Sequence, residues 1–133
     1  MKKILLLLII LSAASASFAQ IDLNKATAAA APMGFDVNSL TKSIMGTLTG
    51  KLKLGEGQTT QVTNLLSKFL TNKSGFMGLM QSKPAEYKTK LEGEQKSLFS
   101  GLKGILKPEQ FTQFMNLKPK TNDTTNNLSQ LFY

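Results

Sequence analysis

The sequence predicts an all-α fold, a small helical bundle or bent helical hairpin of about four helices. Apolar residues recur at helical spacing through most of residues 36–118, and no stretch alternates with the period of two that marks a half-buried strand. Gly and Pro fall between these periodic segments, where helices end or open.

The chain begins with an address rather than with structure. Lys2 and Lys3 precede an unbroken apolar run from Ile4 to Leu11, and Ser17-Phe18-Ala19 fits the small-x-small cleavage pattern of a secretory signal. The run falls short of the roughly 20 residues a membrane span needs, so a cleaved signal is expected over residues 1–19 and no stable span in the mature form. The expected destination is the periplasm or the exterior. Residues 20–35 follow as a flexible leader, because the run Ala26-Thr27-Ala28-Ala29-Ala30-Ala31 has nothing large to bury.

The helical domain is expected over residues 36–118. Asp36 is a plausible N-cap, and Val37, Leu40, Ile44 and Leu48 share one face of the first helix. Gly50 and the turn Gly55-Glu56-Gly57 end it. A second helix from about Gln58 to Thr71 carries Val62, Leu65, Leu66 and Phe69 on its apolar stripe. A third begins just after Pro84 and aligns Tyr87, Leu91, Leu98, Leu102 and Ile105, with Glu86–Lys90 and Glu92–Lys96 spaced to pair along its surface. A fourth starts at Pro108 with Phe111, Phe114 and Met115, and Pro119 stops it. The Thr/Asn-rich tail, residues 119–133, is expected to be mobile, with an apolar end at Leu128, Leu131, Phe132 and Tyr133 that can dock.

Composition narrows the chemistry. Of the 133 residues, 16 are basic, all of them Lys, against 8 acidic ones, and Cys, His and Trp are absent. Disulfides, thiol nucleophiles, zinc knuckles and imidazole bases are therefore excluded. Ser39-x-x-Lys42 matches a pattern of penicillin-recognising enzymes but lacks its companion motifs. Gly50-Lys51 is followed by Leu52, not Ser or Thr, which rules out a phosphate loop. Glu92 and Glu94, two apart on one helix, diverge, while a pair from different helices such as Glu56 and Glu109 stays open. No enzyme, metal or cofactor is expected. The net charge of +8 raises nucleic acid as a partner, but the lysines are dispersed and Arg, the main base reader, is missing, so nucleic acid is set aside.

Two features point to binding. Phe76, Met77, Leu79 and Met80 form an apolar stretch where a connecting loop is normally polar, and Met adapts to varied partners; the alternative is that they cap the core. Lys68, Lys73 and Lys83, nearby in sequence, add positive charge for steering acidic chains. Gly93, Ser97, Gly101 and Gly104 make a small-residue ridge on the third helix, which offers a homodimer contact or marks a bend.

Two pentapeptides each open an expected helix: Leu54-Gly55-Glu56-Gly57-Gln58 and Leu106-Lys107-Pro108-Glu109-Gln110. They resemble the paired Leu-Thr-x-x-Gln motifs of the Spy/CpxP-like periplasmic proteins, with Gly55 and Lys107 standing where that family has Thr. The resemblance covers about residues 51–117. It implies a curved helical hairpin that dimerises into a cradle and binds unfolded or aggregating clients without ATP. The expected function is accordingly an exported small helical binding protein, chaperone-like toward envelope proteins. A module recognising one specific partner through a helical face or the tail, and a lipid-binding bundle with an enclosed apolar cavity, are the alternatives.

Overall fold

Asp36 opens the first helix by closing its first turn. Its Oδ1 accepts from the backbone N–H groups of Asn38 at 2.9 Å and Ser39 at 3.2 Å, satisfying donors that a helix start leaves free. Ser39 donates its hydroxyl to Oδ2 of the same carboxylate at 3.0 Å, so it serves the cap and not Lys42. These bonds, led by those from Ser39, hold the Asp36 pKa below the usual value. The computed structural model describes residues 35–133. The expected signal peptide, and the expected leader before Phe35, lie outside the described residues.

The helices are α1 (Val37–Leu52), α2 (Glu56–Phe76), α3 (Leu79–Ser82), α4 (Pro84–Ile105), α5 (Pro108–Asn116) and α6 (Ser129–Phe132). They account for 77% of the described residues, which contain no strand. Four of the six are the expected ones, and α3 and α6 are single turns.

The spine is the pair α2 and α4, which pack more extensively than any other two elements. Phe76 faces Tyr87, Asn72 bonds Glu94, Leu65 lies against Gly101, and Gln58 reaches Ile105, so the two helices run antiparallel along their whole length. α1 packs along α2, and α5 folds back onto α1 and the end of α4. The core runs through every long helix: Ile44, Leu48 and Leu52 from α1, Val62, Leu66, Phe69 and Leu70 from α2, Leu91, Leu98 and Leu102 from α4, and Phe114 from α5. Burying such side chains supplies about 1.5–3 kcal/mol each, which is what fixes short helices that would not persist alone.

Several boundaries depart from the sequence pattern. α1 runs through Gly50 to Leu52, because Leu52 completes the buried stripe, and Lys53 then turns the chain with φ 51° and ψ 56°. α2 continues five residues past Thr71, carrying Lys73 into the interior. Phe35, expected in the leader, joins the core. On the surface Glu86 pairs with Lys83 at 3.4 Å and Glu92 with Lys88 at 3.9 Å, instead of with Lys90 and Lys96. Exposed pairs of either kind are worth a few tenths of a kcal/mol, so packing is not there to choose between them.

The small-residue ridge of α4 divides. A β-carbon at Gly101 would come within 2.7 Å of Leu65 Cδ2, so this glycine serves the close approach of α2 within the same chain. At Gly93 and Gly104 a β-carbon would meet nothing within 4 Å among the described residues.

Candidate functional site

The two pentapeptides come together at one end of the bundle. Gln58 and Gln110 each occupy the third position of their helix, and each turns its Oε1 back to accept the backbone N–H of the residue before the helix. Gly55 N–H lies 3.1 Å from Gln58, and Lys107 N–H 2.9 Å from Gln110. The amide nitrogens are then free to reach outward. Gln58 Nε2 donates to Ile105 O at 3.1 Å and to Gln110 Oε1 at 2.8 Å; Gln110 Nε2 donates to Leu52 O at 3.0 Å. Ile105 O and Leu52 O belong to the last turns of α4 and α1, where carbonyls lack partners inside the helix. Two starting helices therefore close the ends of two others. Leu106 is buried and Leu54 half-buried beneath them, Pro108 takes the first-turn position, and Glu109 is exposed. The two glutamine amides are uncharged and fully hydrogen-bonded, and together they form a joint between four helix ends.

The apolar stretch expected as a binding lip sits at the opposite end of the α2–α4 hairpin. Phe76, Met77 and Leu79 are half-buried against the core, and the Phe76 ring lies 5.6 Å from that of Tyr87. Met80 is 42% exposed. The stretch thus both caps the core and presents an apolar edge. Lys83 is exposed beside it, paired with Glu86. Lys73 is not available for steering. It is 1% exposed, and its Nζ donates to Gln130 O at 2.8 Å, to Gln130 Oε1 at 3.1 Å and to the main-chain oxygen of Tyr133. Desolvation lowers its pKa from 10.5 to about 8.

Lys73 belongs to a site that the sequence reading did not assemble. The apolar end of the tail turns inward as α6, burying Leu128, Leu131 and Phe132. The Phe132 ring stacks on Phe114 at 5.5 Å and meets Phe99 at 5.7 Å, while Phe99 and Phe114 are 5.8 Å apart. Gln95 Nε2 donates to Leu131 O at 3.1 Å. Lys118 Nζ lies 5.6 Å from the Tyr133 ring and 5.9 Å from that of Phe132, over their faces. Lys73 follows Leu66 and Phe69 by seven and four positions, so helical periodicity alone places it on the buried stripe.

A half-open cleft of about 200 Å³ lies between α2 and α4, lined by Leu65, Lys68, Phe69, Asn72, Glu94, Ser97 and Leu98. Its polar lining and open mouth differ from the enclosed apolar cavity that a lipid-binding bundle requires. Glu94 accepts from Asn72 at 3.0 Å, and Glu92 points to Lys88. Among the described residues no group of three or more acidic side chains is placed to hold a metal, and no helix is long and apolar enough to cross a membrane.

A scan of protein-family models, a search of curated proteins and a search of solved structures each returned no match.

Proposed function

We propose that this chain is an exported binding protein, chaperone-like toward unfolded envelope proteins, working without catalysis, cofactor or ATP. The observation that carries the reading is the apolar edge at Phe76, Met77, Leu79 and Met80, with the exposed ammonium of Lys83 beside it. An edge of that kind gains by covering apolar side chains of another polypeptide, and the excess of lysine over acidic residues, 16 against 8 in the full sequence with only Lys2 and Lys3 in the expected signal, favours acidic clients. The reciprocal bond between Gln58 and Gln110 supports the same reading, since it gives the two resembling pentapeptides one shared structural task.

The test is light scattering of an aggregating client protein mixed with the chain. Suppression that grows up to equimolar ratio is expected, with a loss of at least half of it in Met80→Glu. Full aggregation at and above equimolar ratio would remove the reading.

A further inference from the structure

We propose that the groove formed by Lys73, Gln95, Phe99 and Phe114 is a binding site for short apolar peptide segments bearing an aromatic residue, and that residues 128–133 fill it as an internal ligand. The inference rests on the binding-protein reading for its biological sense and adds a second, larger surface to it.

The contacts that hold the segment are those of a peptide site. Lys73 reads the main-chain oxygens of Gln130 and Tyr133, and Gln95 reads that of Leu131. Main-chain oxygens are common to every sequence, so these donors accept chains of suitable shape, and the further bond from Lys73 to Gln130 Oε1 at 3.1 Å favours a side-chain acceptor at that position. Selectivity comes from the apolar floor, where Leu128, Leu131 and Phe132 present the i, i+3, i+4 spacing of a single amphipathic turn. Phe132 supplies the anchor, packed against both Phe99 and Phe114, the kind of buried aromatic that dominates peptide recognition.

The segment is also built to leave as a unit. Its other hydrogen bonds stay within residues 119–133: Asp123 N–H to Ser129 Oγ at 3.1 Å, Leu128 N–H to Asn126 Oδ1 at 3.0 Å, and Tyr133 O–H to Pro119 O at 2.8 Å. Residues 120–125 are exposed and carry no helix. Release would uncover Phe114, now fully enclosed, and the Lys73 ammonium, leaving an apolar floor with unpaired donors that a client segment of like chemistry can satisfy. A client must therefore displace the chain's own segment.

The probe is a fluorescein-labelled peptide of residues 128–133, titrated by anisotropy into the full chain and into Leu131→Asp and Phe132→Ala, whose tails are unseated while the groove is intact. Binding at least tenfold tighter by either folded variant than by wild type is expected, lost again when Gln95→Ala is added. An excess of the unlabelled peptide should also raise hydrogen exchange at residues 128–133 of the wild-type chain, a measurement independent of any variant's folding. Equal binding by wild type and folded variants, or wild-type exchange unmoved by millimolar peptide, would overturn the groove. If wild type suppresses client aggregation while these peptide experiments fail, the groove falls and the broader reading stands. If the peptide experiments succeed while suppression fails, the groove stands alone.

Discussion

Gln58 and Gln110 bond to each other through their side-chain amides, Gln58 Nε2 lying 2.8 Å from Gln110 Oε1, while each also closes the start of its own helix. Both faces of each amide are in use, so neither side chain can become acceptor-only without loss. Gln110→Glu strips the donor from Leu52 O and is expected to destabilise the fold by about 2–3 kcal/mol. A double-mutant cycle with Gln58→Ala and Gln110→Ala, read by denaturant unfolding, should give a coupling energy of about 1 kcal/mol or more; additivity would show that the pair is not a joint.

Lys73 gives the fold a dependence on pH of definite sign. Its pKa is about 8 in the folded chain and 10.5 when exposed, so between those values the folded state has shed a proton that the unfolded state keeps. Stability from this group is therefore flat below pH 8 and rises from pH 8 to 10.5, by at most about 1.4 kcal/mol per pH unit. The contacts to Gln130 and Tyr133 favour the charged form and reduce that slope. Urea unfolding of wild type and Lys73→Met across this window should show the difference in slope; parallel curves would place the lysine in solvent.

Tyr87 is buried with its hydroxyl lacking a hydrogen-bond partner among the described residues, and burial pushes its pKa up. Removing an unsatisfied group while keeping the ring should help. Tyr87→Phe is expected to raise stability by about 1 kcal/mol, seen as a higher urea midpoint at unchanged slope. A lower midpoint would mean that the hydroxyl does find a partner.

Lys53 ends α1 in the left-handed conformation, which costs a β-carbon-bearing residue about 1 kcal/mol and glycine nothing. Lys53→Gly should stabilise the chain by about 0.5–1 kcal/mol, after allowing for the extra freedom glycine gives the unfolded state. Thermal unfolding would check it, and a lower midpoint would show that Lys53 makes a compensating contact.

What could be read from the sequence follows from how local each signal is. The stripe Val62, Leu66, Phe69 and the proline starts at Pro84 and Pro108 are determined by neighbours within a few residues, and those helices appear where the period puts them. The end of α2 was set too early because Thr71-Asn72-Lys73-Ser74 looks polar in sequence, whereas Lys73 is partnered by groups 57 and 60 residues away. Helical spacing from Leu66 and Phe69 puts Lys73 on the buried stripe, but no short-range pattern names partners so distant in sequence. The glutamines were visible as helix openers, but that Gln58 and Gln110 meet depends on α1 and α4 ending at the same place. The lip was legible as apolar, and only packing against Tyr87 decided which of its side chains turn outward.

The aromatic stack takes one of its three rings from residue 132, the last to be added of all that line it. A ribosome delivering this polypeptide amino end first therefore releases α1, α2 and α4 before their interior can be completed. Until Phe132 arrives, Phe99 and Phe114 have only each other to pack against, so the seat for residues 128–133 is assembled ahead of the segment that fills it.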